Sequence, residues 1–139
     1  MGLIYADIEL IRGVDIVLFQ EGYIQENQIR RVKVTALVDT GSYMLAINET
    51  VKTQFYLQKV GEEKAELADG SRVTLEIVRP IDVRFENRRT NVDGMVLPGD
   101  SEVLLGAIPM EGLDVIIDPK AQRMIVNPES PNIARKSLK

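Results

Sequence analysis

Apolar residues in this chain fall in short runs at every second position, and turn-forming residues close most of those runs. Val32, Val34, Ala36 and Val38 alternate with Arg31, Lys33, Thr35 and Leu37, and Val73, Leu75 and Ile77 repeat the pattern later. Side chains two positions apart share one face of a strand, so this spacing predicts a chain built mostly from half-buried β-strands. Leu3–Ile11 and the apolar run Asp15–Phe19 read as two early strands, and Arg30–Val38 as a strand entering the core. That strand stops at Asp39-Thr40-Gly41-Ser42, four turn-forming residues placed directly after Ala36-Leu37-Val38.

Beyond the turn, Met44–Ile47 is a short apolar run, and Asn48 is placed to cap a helical turn through Glu49–Phe55 with Val51 and Phe55 on one face. Asp69-Gly70, between Ala65–Leu67 and Arg72–Val78, is a strong hairpin signal. Pro80 is expected to interrupt regular pairing. A second hairpin is expected from Ile81–Phe85 and Val92–Leu97 across a polar turn at Asn87-Arg88-Arg89. Val103-Leu104-Leu105-Gly106 leads into a short helical turn, and Asp114–Ile117 with Arg123–Val126 forms a last hairpin. Residues 1–127 are expected to form one domain and residues 128–139 a flexible C-terminal tail, since the tail carries Pro131, basic residues and no apolar period.

Composition narrows the chemistry. The 139 residues include no His and no Cys, so a Ser-His-Asp triad, a Cys-His pair, a His-ligated zinc and a thiolate cluster are all impossible within the chain. No GxxxxGK[ST], GxGxxG or EF-hand spacing is present. The net charge of -4 argues against nucleic-acid binding, and Arg30-Arg31-Lys33 and Arg88-Arg89 read as solvated strand ends or turns. No run approaches the roughly 20 apolar residues that span a bilayer, and the N-terminus lacks a secretory pattern, so no membrane partner and a cytoplasmic location are expected. Carboxylates are left as the strongest catalytic candidates.

Leu37-Val38-Asp39-Thr40-Gly41-Ser42, the hairpin around Asp69-Gly70, and Leu104-Leu105-Gly106 followed by Ala107–Leu113 occur in an order and spacing that resemble the retropepsin-like aspartic peptidases, over about Ile29 to Val126. Taken alone, each element has a plain reading: a strand-ending turn, a hairpin turn, and core ending at a turn. The resemblance implies an all-β fold, a closed β-barrel or sandwich of hairpins with one or two short helices, assembled as a two-fold homodimer. It implies an aspartic endopeptidase that needs no cofactor and no metal, with Asp39 catalytic and Thr40, Gly41 and Ser42 supporting the catalytic loop. Gly41 would bring its N–H to the carboxylate in a conformation closed to larger residues. Thr40 would reach the partner's loop, and Ser42 would hydrogen-bond Asp39. Asp69, Gly70 and Ser71 would form a flap over an extended peptide or protein substrate, and Leu104, Leu105 and Gly106 would support the Asp39 loop from beneath.

One carboxylate is half of that site. Two Asp side chains about 3 Å apart share one proton, so that one activates water while the other donates to the carbonyl oxygen. The chain has a single Asp-Thr-Gly, and Asp69-Gly70-Ser71 and Asp93-Gly94-Met95 lack the middle hydroxyl residue. The second Asp39 is therefore expected from another copy. Two other readings stay open: a non-catalytic dimerisation or peptide-binding module, motivated by the single glycine in the flap turn, and a divalent-cation site from Asp39, Asp69 and Asp100. Pro98-Gly99-Asp100-Ser101 is expected at the rim of the substrate cleft.

Overall fold

The computed structural model describes residues 2–67, 69–136 and 138. Among the described residues nine strands and three α-helices follow one another in the order β1 (Tyr5–Arg12), α1 (Gly13–Gln20), β2 (Arg31–Val38), β3 (Leu45–Asn48), α2 (Glu49–Phe55), β4 (Gln58–Glu66), β5 (Arg72–Phe85), β6 (Arg88–Leu97), β7 (Leu104–Leu105), α3 (Ala107–Leu113), β8 (Val115–Asp118) and β9 (Arg123–Val126). A 3-10 turn at Glu26–Gln28 precedes β2. Among the described residues no helix is long and apolar enough to cross a membrane.

Six strands close on themselves in the order β1-β2-β7-β3-β6-β5, because β5 pairs back to β1. Closure comes from the length of β5. Its first part, Arg72–Arg79, is bonded to β4, whereas Ile81–Arg84 is bonded to β1. Pro80 sits at the changeover, preceded by a cis peptide bond, and the pairing with β6 shifts register between Val78 and Ile81. A residue without an N–H is tolerated there because neither flanking ladder claims it. Gly13, at the start of α1, lies against the same proline: a Cβ on it would stand 2.8 Å from the Pro80 ring. β4 and the first part of β5 form a hairpin that extends from the barrel, and β4 is exposed on both faces. β8 and β9 form a separate two-stranded sheet.

The period-two residues fill the barrel. Leu10, Leu45, Ile47, Ile81, Leu105 and Leu113 are fully buried, and Ala36 and Val38 present the inner face of β2. Each such Leu, Ile or Val side chain contributes roughly 1.5–3 kcal/mol of burial free energy. Asn48 caps α2 as its position in the sequence indicated, its side-chain oxygen accepting the Val51 N–H at 3.0 Å, with Val51 and Phe55 buried beneath.

Three expectations are corrected. Asp15–Phe19 is not a strand but part of α1, which also raises the number of α-helices to three. The run has no period-two alternation, and a short apolar run does not by itself separate strand from helix. Asp15 decides the matter: it is buried at 4% exposure, accepts from Arg12 Nη1 at 2.5 Å and from the Arg30 N–H at 2.9 Å, and leaves Val17 and Phe19 facing solvent. Arg88, read as a turn residue, starts β6 and is buried at 2% exposure, donating to the Ser130 carbonyl. β4 begins at Gln58, well before the apolar residues near Ala65, because an exposed arm needs no buried alternation.

Beyond Pro128, in the segment expected to be flexible, hydrogen bonds among the described residues reach as far as Arg135. Asp114 Oδ2 accepts from Ser130 Oγ at 2.5 Å and from the Arg135 N–H at 2.9 Å, and Asp114 Oδ1 accepts from Asn127 Nδ2 at 3.0 Å. Those bonds, with the Arg88 guanidinium nearby, hold the Asp114 carboxyl well below the usual carboxylate range.

Candidate active site

β2 delivers Asp39 to one end of the barrel, and β7 holds it there. The two strands run parallel with Leu37 opposite Leu104 and Val38 opposite Leu105, and the Asp39 N–H continues the ladder to the Leu105 carbonyl at 3.0 Å. The chain then turns sharply: the Ser42 N–H returns to the Asp39 carbonyl at 3.1 Å, and the Gly41 N–H donates to Asp39 Oδ1 at 3.0 Å. The carboxylate is thus half-buried and oriented by backbone, while Thr40 and Gly41 are exposed. Among the described residues no other carboxylate is bonded to it.

Gly41 allows this for a reason other than the one expected. Its backbone is not in the left-handed region; the constraint is space, since a Cβ would stand 3.3 Å from Asp39 Oδ1. Ser42 also differs from expectation: its hydroxyl is directed at the Met44 carbonyl at 3.5 Å, a marginal bond, and not at Asp39.

Leu104, Leu105 and Gly106 lie beneath the loop. Leu105 is fully buried, and Gly106 packs where a Cβ would be 2.7 Å from the Ser42 carbonyl oxygen and 2.8 Å from the Tyr43 carbonyl carbon. Immediately after it, the N–H groups of Ala107 and Ile108 donate to the Ser42 and Tyr43 carbonyls, both at 2.8 Å. The first turn of α3 is therefore strapped to the loop that carries Asp39. Free N–H groups at a helix start need acceptors, and the loop's carbonyls supply them.

The Asp69-Gly70-Ser71 turn closes the projecting β4–β5 hairpin. Leu67 and Ser71 are bridged at 2.8 Å, Gly70 adopts a φ of 85°, and Asp69 Oδ1 accepts from both the N–H and the hydroxyl of Ser71. The Ser71 hydroxyl, above all, lowers the Asp69 pKa. The turn makes no hydrogen bond to the Asp39 loop among the described residues.

Asp39, Asp69 and Asp100 do not come together. Asp100 accepts from Thr50 Oγ1 at 2.7 Å, and among the described residues no three acidic side chains gather in a metal-binding group. Pro98–Ser101 is fastened to the start of α2, through Asn48 Nδ2 to the Ser101 carbonyl at 3.0 Å and the Glu49 N–H to the Gly99 carbonyl at 3.1 Å. It is absent from the walls of the cleft beside the loop.

That cleft, about 570 Å³, opens between the Asp39 loop and the hairpin arm, with Tyr43, Met44, Glu63, Val92, Asp93 and Ile108 in its walls. Sequence reasoning passed over these residues because they come from four elements. The adjacency of Tyr43-Met44 to the Asp-Thr-Gly turn was the available signal. A larger cleft of about 760 Å³ lies between β1 and β9, away from Asp39.

The model of the aspartyl protease family matches residues 23–107, more than half of the chain, including the Asp39 turn, the hairpin and Gly106. The chain belongs to the aspartyl protease family. Its fold is retropepsin-like: the retroviral protease-like domain of Ddi1 from Leishmania major superposes with a TM-score of 0.56 at 13% identity, covering 92% of this chain and 90% of that one. The simian foamy virus (mac) protease aligns with a TM-score of 0.48 at 13% identity, covering 76% of this chain and 90% of that one. Among curated proteins none matches. Within this aspartyl protease family domain, the barrel end that bears Asp39 and the projecting hairpin define the candidate active site.

Proposed function

We propose that the protein is an aspartic endopeptidase whose active site forms when two copies bring their Asp39 loops together. The observation that carries this reading is the isolation of Asp39. It is held at the open end of the barrel by the Gly41 N–H, and no second carboxylate of the same chain is bonded to it among the described residues. A single ionised carboxylate can attract a proton from water but has no acid to offer the carbonyl oxygen. A symmetric partner supplies one, and on a two-fold axis Asp39 meets Asp39.

The chemistry then follows from the shared proton. The ionised Asp39 takes a proton from water as the oxygen attacks the peptide carbon, and the protonated Asp39 donates to the carbonyl oxygen, giving a neutral tetrahedral diol. Proton transfer from the first Asp39 to the amide nitrogen, with return of a diol proton to the second, breaks the C–N bond and releases amine and acid. Thr40, which is exposed, would reach the partner loop, and the α3 bonds to the Ser42 and Tyr43 carbonyls would hold that loop as the dimer forms. An extended peptide would lie between the Asp39 pair and the hairpins, with its backbone bonded to the flap strands.

A second reading is a peptide-binding or dimerisation module without hydrolysis. The tight Asp69–Ser71 turn, which satisfies its own hydrogen bonds, favours it. Incubation with an unstructured protein substrate separates the two: the endopeptidase reading expects cleavage by the native chain and none by Asp39→Asn with fold unchanged. Equal cleavage by both would remove Asp39 from the mechanism, and binding without cleavage would favour the module.

A further inference from the structure

Resting on the peptidase reading, we infer that the cleft between the Asp39 loop and the hairpin arm is a subsite selecting Lys or Arg in the peptide, with Glu63 reading the charge. Its walls combine apolar side chains with Asn91 and two carboxylates. Tyr43 is 77% and Ile108 51% exposed, with Met44 and Val92 half-covered beside them. These surfaces suit the methylene stem of a long side chain, and the Tyr43 ring can also face a cation.

The two carboxylates in the lining, Glu63 and Asp93, are not equivalent. Asp93 is engaged by Arg79 at 2.9 Å, whereas Glu63 has no ion pair among the described residues. A Lys or Arg head entering the cleft would gain the free Glu63 carboxylate. A neutral aliphatic chain would leave it facing carbon, and an acidic one would be repelled. The net charge of -4 favours approach of cationic peptides as well.

The N–H groups of Ala107 and Ile108 bond to the Ser42 and Tyr43 carbonyls, so the Tyr43 and Ile108 wall of the cleft is held to the loop that carries Asp39. Glu63 lies opposite Leu75 in the β4–β5 ladder, on the arm below the turn. An extended peptide advances about 3.3 Å per residue, so successive residues of the peptide reach different parts of the cleft.

The test uses labelled extended peptides in which each position in turn is Lys, norleucine or Glu. Binding is measured to Asp39→Asn protein and cleavage is measured with the native chain. At one position Lys is expected to bind about five-fold more tightly than norleucine, with Glu weakest. Glu63→Gln should erase that preference, Glu63→Lys should reverse it, and Ile108→Asp should weaken binding of norleucine at the same position. Lys and norleucine indistinguishable at every position, a preference that survives Glu63→Gln, or no binding by any peptide would each overturn the subsite. Cleavage without a Glu63-dependent preference would sink the subsite and leave the peptidase standing. Glu63-dependent binding with no cleavage by the native chain would do the opposite.

Discussion

Gly106 lies so close to Ser42 that a Cβ on it would stand 2.7 Å from the Ser42 carbonyl oxygen. The obstacle is backbone, which cannot rotate away as a side-chain end can, and the same carbonyl accepts the Ala107 N–H. Gly106→Ala must therefore push α3 off the Asp39 loop or distort the loop itself. We expect a loss of about 1–3 kcal/mol in urea unfolding, the range for overpacking a close-fitted site, with activity falling further than stability does. A variant of native stability and activity would show that the loop is not supported from this side.

Asp114 makes folding stability depend on pH. Its folded-state pKa is depressed by the Ser130 hydroxyl, then by the Arg135 and Asn127 bonds and the Arg88 charge. The folded chain thus holds that proton less readily than the unfolded one. The contribution is present in full above the ordinary carboxylate value of about 4 and is lost as pH falls towards the folded value. Asp114→Asn should be less stable than the native chain at neutral pH, and the gap should narrow at pH values below about 4. A gap independent of pH, measured by urea unfolding, would contradict the assignment.

Asn48 offers a smaller, cleaner change. Its side chain accepts the Val51 N–H at 3.0 Å and donates to the Ser101 carbonyl at 3.0 Å. Asn48→Ala should cost about 1 kcal/mol through the lost cap. Asn48→Asp keeps the acceptor for Val51 and should recover part of that loss in thermal or urea unfolding. Equal losses in both variants would mean that the Ser101 bond, not the cap, carries the effect.

Much of this molecule could be read from local pattern. The alternation in Arg31–Val38, the Asn48 cap and the Asp69-Gly70 turn each depend on neighbours in sequence, and each is found where the residues indicated. The closed barrel was reached by resemblance, because its closure rests on β5 changing partners at Pro80, a long-range event that periodicity does not encode. Arg88 misled because a charged side chain reads as solvated until a distant partner covers it, and that partner is Ser130. Asp15–Phe19 misled because a short apolar run does not by itself separate strand from helix. At the candidate site, Asp39 and its turn were evident from sequence. The Met44 partner of Ser42 and the position of Glu63 beside Tyr43 were not, since both depend on how the loop and the arm fold back.

The proposed dimeric active site predicts how activity responds to dilution with inactive chains. Native and Asp39→Asn protein, mixed in equal amounts and allowed to exchange subunits, should pair at random, leaving about one quarter of the dimers with two Asp39 residues. Peptidase activity, at a fixed total concentration where sedimentation shows dimers, is expected to fall to about a quarter of that of the native chain alone. A fall to only about one half, in direct proportion to the native fraction, would mean that each chain acts alone and would contradict the shared site.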